Sequence, residues 1–513
     1  LKPFCNLRKI FFLFLCFQSL FSSFNVSAKA NLKNEDYAVI VYGNELPAVA
    51  AAVMASKQLA KNGQVVLIRP YFENEPLGGL VTQGGLAYLD RNQLNSSLSP
   101  SSEFYKEFLS RAKVKRVSLD PVLADQALRQ MLKDAGVKII SNAILYPDVA
   151  ENEIQGVRIQ GSGQVLRAKI YIDGTPNADL ARRAGLQYSI GFQTLGYPNA
   201  TLPVSPIIRT SGLSVSQLQA IENTILSNAD LVDRIKQKLK AEHEPEFYTW
   251  LLKNFDKKMY VGEDYIDFRS IALGAAYHLY RNKPYDFKKG FLFDRPNIAI
   301  LKNGDLSWNA FLYKFSAQEV VGLVNSGSKL TPEMHNELKA FEDWLHKFPE
   351  GKEAVVISPS ELYIRHSLNV IDVVHPFTGR EIIHGGPSAS KAVGTFSYFF
   401  DVRGGIDGYS GKMLKPIFNF GIEHCLSRFD NLAVVSRSAG YFGLAPAVGR
   451  ILELNASIAS YVGAAAAIAV KTNSPLTAVS SAQARQAIEK LTGTKSNLSG
   501  KDLSQGVDLK RVL

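Results

Sequence analysis

Ala38-Val39-Ile40-Val41-Tyr42 is an apolar run without a polar break, and it stops at Gly43. An uninterrupted, β-branched run of this kind predicts a strand buried on both faces. An alanine-rich stretch from Pro47 predicts a helix, and Val65-Val66-Leu67-Ile68 predicts a second, parallel strand. Strand, glycine turn, small-residue helix and strand over residues 36–70 make the opening unit of a dinucleotide-binding fold. In that unit the turn's N–H groups and the helix N-terminus face a diphosphate.

Further along, Leu123, Ala127, Leu128, Met131 and Leu132 keep helical spacing, and a strand is expected at 137–140. Val157-Arg158-Ile159 and Val165-Leu166-Arg167 alternate around Gly161-Ser162-Gly163 and predict a hairpin. Lys169-Ile170-Tyr171-Ile172 predicts a strand that delivers Asp173-Gly174-Thr175 to the ligand end of a parallel sheet. Gly78-Gly79-Leu80-Val81-Thr82-Gln83-Gly84-Gly85-Leu86 interleaves glycines with apolar residues, the pattern of a buried loop lying against a flat ligand. Between 195 and 350 the alternation gives way to charged helical segments, 216–239 and 332–348 among them. Ser358-Pro359-Ser360-Glu361 has the form of a helix start. Asn431-Leu432-Ala433-Val434-Val435 resumes the sheet, and a helix over 454–470 carries a small-residue face around Gly463. The polar tail beyond 493 is expected to be poorly ordered.

These readings give an α/β chain with a Rossmann-type domain in two parts, 36–192 and 426–475. A substrate or cap domain over 193–425 separates them, and a C-terminal helix and polar tail occupy 476–513. With 513 residues the chain has room for more than one core. Its net charge is +11, four of the positive charges falling within residues 1–30. The basic residues are scattered, which argues against nucleic acid as a partner. Lys2, Arg8 and Lys9 ahead of the apolar run 10–17, with Ala28-Lys29-Ala30 behind it, read as an export signal over 1–30, leaving the protein periplasmic or secreted. An uncleaved membrane anchor is the alternative. Removal of that segment leaves Cys425 as the one cysteine, which reads as a small buried hydrophobe and gives no framework for a metal site.

The order of four blocks resembles the FAD-dependent oxidoreductases that include the xanthan-lyase-like flavoproteins. They are Val41-Tyr42-Gly43 through Ala52, Gly78-Gly79 through Asp90, Tyr171 through Thr175 with Asp179 to Gly191, and Arg450-Ile451-Leu452-Glu453 with the Gly463 helix. Weaker echoes are Leu362-Tyr363-Ile364-Arg365 and Ser397-Tyr398-Phe399-Phe400-Asp401. The resemblance implies a glutathione-reductase-like FAD domain with an inserted α+β substrate domain. It places the diphosphate at Gly43, Asn44, Glu45, Pro47 and Ala48, and the adenosine ribose near Arg69. The loop residues Gly78, Gly79, Leu80, Thr82, Gly84 and Gly85 are expected on the flavin side. Asp173, Thr175, Asp179, Arg437, Gly440 and Gly463 complete the expected cofactor contacts.

Several positions depart from that family's pattern. Glu45 and Ala48 stand where a G-x-G-x-x-G turn has its second and third glycines. A carboxylate turned towards a diphosphate would be repelled by about 4 kcal/mol at 4 Å and an effective dielectric of about 20. Arg69 replaces the acid expected to accept from ribose hydroxyls. Asp401-Val402-Arg403 stands where the family has aspartate, spacer, histidine, and Gly443 stands where a histidine is expected before Arg450. The candidates for chemistry are Arg450, oriented by Glu453, together with Asp401, Arg403, Tyr398 and His384. The implied function is an exported FAD-dependent oxidoreductase that passes a hydride from a small organic CH–OH or CH–NH substrate to flavin, with an unknown electron acceptor. The alternative is a flavoprotein-fold protein that has lost redox activity and binds a ligand outside the cytoplasm.

Overall fold

The computed structural model describes residues 36–60, 64–95, 97–406 and 414–505. The export reading of 1–30 lies outside them. Strand β1 (Asp36–Tyr42) sits inside a seven-stranded sheet, fully buried from Val39 to Val41. It pairs in parallel with β2 (Val65–Ile68), and β2 with β3 (Lys138–Ile140). The strands β4 (Leu145–Ala150) and β5 (Glu153–Ile159) are antiparallel to each other.

Strand β6 (Val165–Asp173) joins two predicted strands into one. Its first residues close the hairpin with β5, and its length runs parallel to β1. Its last three residues pair in parallel with β7 (Leu432–Val434). Tyr42, Ile68 and Asp173 therefore end level, with Val434 opposite Asp173, and the following loops leave from one edge. Ligands of open α/β sheets bind at that edge.

Helix α1 (Leu46–Gln58) follows β1, α2 (Pro121–Ala135) packs beside it, and α3 (Leu452–Thr472) lies across it. Helix α3 is long and apolar enough to cross a membrane, yet it is buried. Gly463 is what lets it come close: a Cβ there would lie 2.3 Å from the Ala51 carbonyl oxygen. Ala48 fits at the fingerprint's third glycine position because its neighbour is Gly174, where a Cβ would lie 2.5 Å from the Ala48 Cβ.

A second, eight-stranded sheet is antiparallel and built around Phe291–Ile300 and Leu306–Tyr313. Its core holds Trp308, Phe293, Phe311, Phe341 and Tyr277, and its buried members run from Val204 to Ile364. Phe377, Phe396 and Phe418, expected with this unit, pack into the core of the first sheet instead. The segment 216–239 is two helices, Val215–Ser227 and Ala229–Glu242, because the Asn228 side chain accepts from the Leu231 N–H and starts the second.

Two expectations are corrected. Ser358-Pro359-Ser360-Glu361 starts no helix; the N–H groups of Ser360 and Glu361 both donate to the Gln83 carbonyl, and the strand Tyr363–Ile364 follows. The stretch 494–505 is tied down by hydrogen bonds: the Lys501 N–H donates to the Ile417 carbonyl, and the Gly500 N–H to Asn419 Oδ1.

Gly463→Val should lower stability by about 3 kcal/mol through overpacking, read as a lower urea midpoint with an unchanged slope. An unchanged midpoint would show that α1 and α3 part freely.

Candidate cofactor cleft and active site

A cleft of about 320 Å³ opens at the carboxyl edge of the parallel sheet. Gly43 forms its base, with φ +143°; a Cβ there would lie 2.6 Å from the Gly174 carbonyl carbon. Only glycine permits both that conformation and that approach. Gly79, Leu80 and Gly84 wall one side, and Thr175 and Asp179 the other. Arg182, Arg183 and Arg437 supply positive charge, and Glu45, Asp179 and Glu361 negative charge.

Glu45 is the N-cap residue of α1, yet its side chain makes no cap bond. It turns into the cleft. Arg437 Nη1 stands 3.5 Å from its Oε1. The carboxylate lies on Gly79, where a Cβ would be 2.8 Å from Glu45 Cδ. Burial raises its pKa, while Arg437 and the Leu80 N–H pull against that rise. The Nε of Arg437 is buried and has no hydrogen-bond partner among the described residues.

Arg69 does not line this cleft, which corrects its expected place beside a ribose. Its side chain is fully buried and donates to the carbonyls of Phe72, Glu73, Glu75 and Pro76. Its Nη1 also donates to Asn44 Oδ1 at 2.8 Å, and its Nε to Ser141 Oγ. Asn44 in turn donates to Gln83 Oε1 at 2.7 Å and to the Pro76 carbonyl. Both side chains are spent on holding the loop 70–76 against the glycine loop.

Asp173 is likewise internal. Its carboxylate accepts from the Thr175 N–H and hydroxyl and from the Ala181 N–H, although burial pushes its pKa up to about 6. The Thr175 hydroxyl accepts from the Asp179 N–H, so the turn is locked into one shape. Pro47 and Ala48 are packed in the first turn of α1. Gly78, with φ +117°, donates its N–H to the Asn44 carbonyl, and the Thr82 hydroxyl donates to the Gly79 carbonyl. Gly85 accepts through its carbonyl from Ser307 of the second sheet. Gly440 packs against Val373, and Gly463 against α1; neither reaches the cleft.

A second cluster brings four of the chemical candidates together. Arg450, 2% exposed in its side chain, donates to Tyr363 OH at 3.0 Å and Asp401 Oδ2 at 3.3 Å, and lies 3.6 Å from Asp90. Its guanidinium sits 5.7 Å from the centre of the Tyr398 ring. Arg403 donates to the same Asp401 oxygen at 2.8 Å. Burial works to raise the Asp401 pKa, but the two guanidiniums hold it below the ordinary carboxylate range. Burial, with Asp90 and Asp401, pushes the Tyr398 phenol well above its usual value, so it keeps its proton. The Nε of Arg450 is buried and unpartnered among the described residues.

Glu453 does not orient Arg450. It accepts from the Asn92 and Ser101 N–H groups and faces Arg91 at 3.4 Å. His384 belongs to neither site: its Nδ1 stands 3.3 Å from Asp502 on the C-terminal segment. Asp90 and Tyr363 complete the Arg450 cluster. Both lie inside motif blocks of the sequence, whose order was the one signal that could have marked them.

The model of the FAD dependent oxidoreductase family matches residues 38–490. No curated protein matches the sequence. Solved structures similar to it include the halogenase PltM, at 10% identity over 89% of this chain and 73% of that one, with a TM-score of 0.39. The L-proline dehydrogenase from P.horikoshii is 11% identical over 91% and 100%, with a TM-score of 0.35. OxyS anhydrotetracycline hydroxylase from Streptomyces rimosus is 9% identical over 90% and 68%, at 0.40. The cleft fits a flavin dinucleotide in the donors it offers: a partnerless Arg437 Nε, the Leu80 N–H and a glycine-lined wall. The Glu45 carboxylate lies on that wall at Gly79, with Arg437 Nη1 3.5 Å away.

Arg69→Met should cost about 3 kcal/mol or more, since it strands buried carbonyls that had a charged donor, and should make 70–76 an early site of limited proteolysis. Retained stability with weakened cofactor binding would restore Arg69 as a ligand contact.

Proposed function

The chain belongs to the FAD dependent oxidoreductase family, and from that premise we propose that it oxidises a small organic CH–OH or CH–NH substrate by hydride transfer. The observation that carries this reading is that three segments serve both sites. Gly79 and Leu80 line the cleft and Asp90 meets Arg450. Glu361 and Leu362 line the cleft and Tyr363 accepts from Arg450. Arg437 faces the cleft and Arg450 is the centre of the cluster. An extended dinucleotide running along these segments would have its diphosphate near Gly43, Leu80 and Arg437 and its ring end towards Arg450.

Bound FAD supplies the hydride acceptor. Arg450 holds negative charge that develops at the reacting centre, its Nε being free to donate. Asp401, kept ionised between Arg403 and Arg450, fixes both guanidiniums in place. Asp90, whose side chain is 24% exposed against 14% for Asp401, takes the proton released from the substrate O–H or N–H as the C–H hydride leaves. The glutathione-reductase-like subtype, with the second sheet as an inserted substrate-side domain, is part of the same proposal. So are export, on the pattern of residues 1–30, absence of a stable membrane span once that segment is cleaved, and an electron acceptor of unknown identity.

Purified protein should be yellow with a flavin spectrum, and the absorbance should bleach anaerobically with an oxidisable substrate. A bound flavin that turns substrate over without bleaching would replace hydride transfer with a non-redox role. Arg450→Met should lower kcat/KM by about 10²–10³-fold, the effect of removing one preorganised charge donor, with flavin still bound. Arg450→Lys should recover part of it.

A further inference from the structure

Of the three carboxylates lining the cleft, Glu45 is the one that lies on the glycine wall and pairs with Arg437. An unpaired carboxylate there would be costly to bury, and this one is paired. Its partner is the guanidinium of Arg437, and the Leu80 N–H in the Gly79–Val81 turn also favours its charged form. These are the donor types that recognise a phosphate. The carboxylate reaches them because Gly79 has no side chain to block it. Its backbone is held beside the same loop, through the bridge between Glu45 and Gly78.

We infer that Glu45 is an internal counter-anion: its carboxylate occupies an anion position formed by the Leu80 N–H and Arg437, so that a dinucleotide diphosphate and the Glu45 side chain take that position in turn. This rests on the reading of the cleft as the dinucleotide site. Tyr71 and Glu361, hydrogen-bonded to each other at 3.1 Å, also line the cleft, and a displaced Glu45 meets a second carboxylate there. The exchange therefore weakens cofactor loading relative to a chain with a neutral residue at 45. It also keeps the cofactor-free cleft from exposing an unpaired Arg437.

The test is equilibrium binding by the full chain and by Glu45→Gln, which keeps size and an acceptor oxygen but not charge. FAD is titrated by fluorescence quenching, and inorganic diphosphate by calorimetry. Glu45→Gln should bind both ligands about tenfold more tightly or better, and Arg437→Met should weaken both in either background. Thermal unfolding without ligand should show Glu45→Gln folded, so that any change in binding is not a loss of fold. Equal FAD affinity in parent and Glu45→Gln would overturn the inference and leave the cleft's assignment standing. Tighter diphosphate binding by Glu45→Gln with no FAD binding by either chain would support the anion position and overturn the assignment of the cleft to FAD.

Discussion

A buried guanidinium that bonds to carbonyls instead of a carboxylate holds the ligand edge of this molecule in shape. Arg69 gathers the carbonyls of the loop 70–76 and passes a hydrogen bond to Asn44 in the turn after β1. Asn44 passes one to Gln83 in the glycine loop, and the Gln83 carbonyl accepts from Ser360 and Glu361 beside the second sheet. One chain of hydrogen bonds thus links the end of β2, the turn after β1, the glycine loop and the second sheet. Burying a charge in this way is tolerable because its acceptors, backbone carbonyls, an amide oxygen and the Ser141 hydroxyl, would themselves lose a donor without it.

Elements whose signal is local could be read from the sequence. The β-branched runs at 38–42 and 65–68 became strands because burial on both faces leaves no polar period to obscure them. The small-residue helix around Gly463 was legible for the same reason. Side-chain roles set by distant backbone were not. Arg69 gives no hint that its acceptors are carbonyls, since every residue has one. Arg450 and Glu453 look paired by spacing, but Arg450 ends the short helix Pro446–Gly449 and Glu453 begins α3, so no common helix face exists. Ser358 to Glu361 has a cap pattern, but the residues behind it are a short, buried apolar run that ends in the strand Tyr363–Ile364.

The same distinction separates the two parts of the site. The cleft is built mostly from backbone: Gly43 against Gly174, Gly79 under a carboxylate, the Leu80 N–H. Such a surface is visible in sequence as glycine spacing. The Arg450 cluster is built from side chains contributed by residues 90, 363, 398, 401, 403 and 450, and no spacing rule connects those positions. What connects them is that the glycine loop, the Tyr363 strand and the segment after β7 each continue from cleft to cluster. A motif order can therefore mark the site while each motif alone says little.

The acid at position 45 illustrates how a departure from a family pattern is accommodated. A carboxylate at the start of a helix is favoured by the helix dipole whether or not a ligand is present. In this chain it also gains the Arg437 guanidinium at 3.5 Å, which offsets part of the cost of its burial. Glycine at that position would remove the carboxylate that stands nearest to Arg437. The repulsion expected between Glu45 and a diphosphate is therefore the wrong quantity to judge the turn by. The relevant comparison is between two anions for the same donors, one covalently attached and always at hand, the other larger, doubly charged and held along its whole length. A dinucleotide wins that comparison only if contacts beyond the diphosphate contribute, which ties occupancy of the turn to the order of the segments that lead to Arg450.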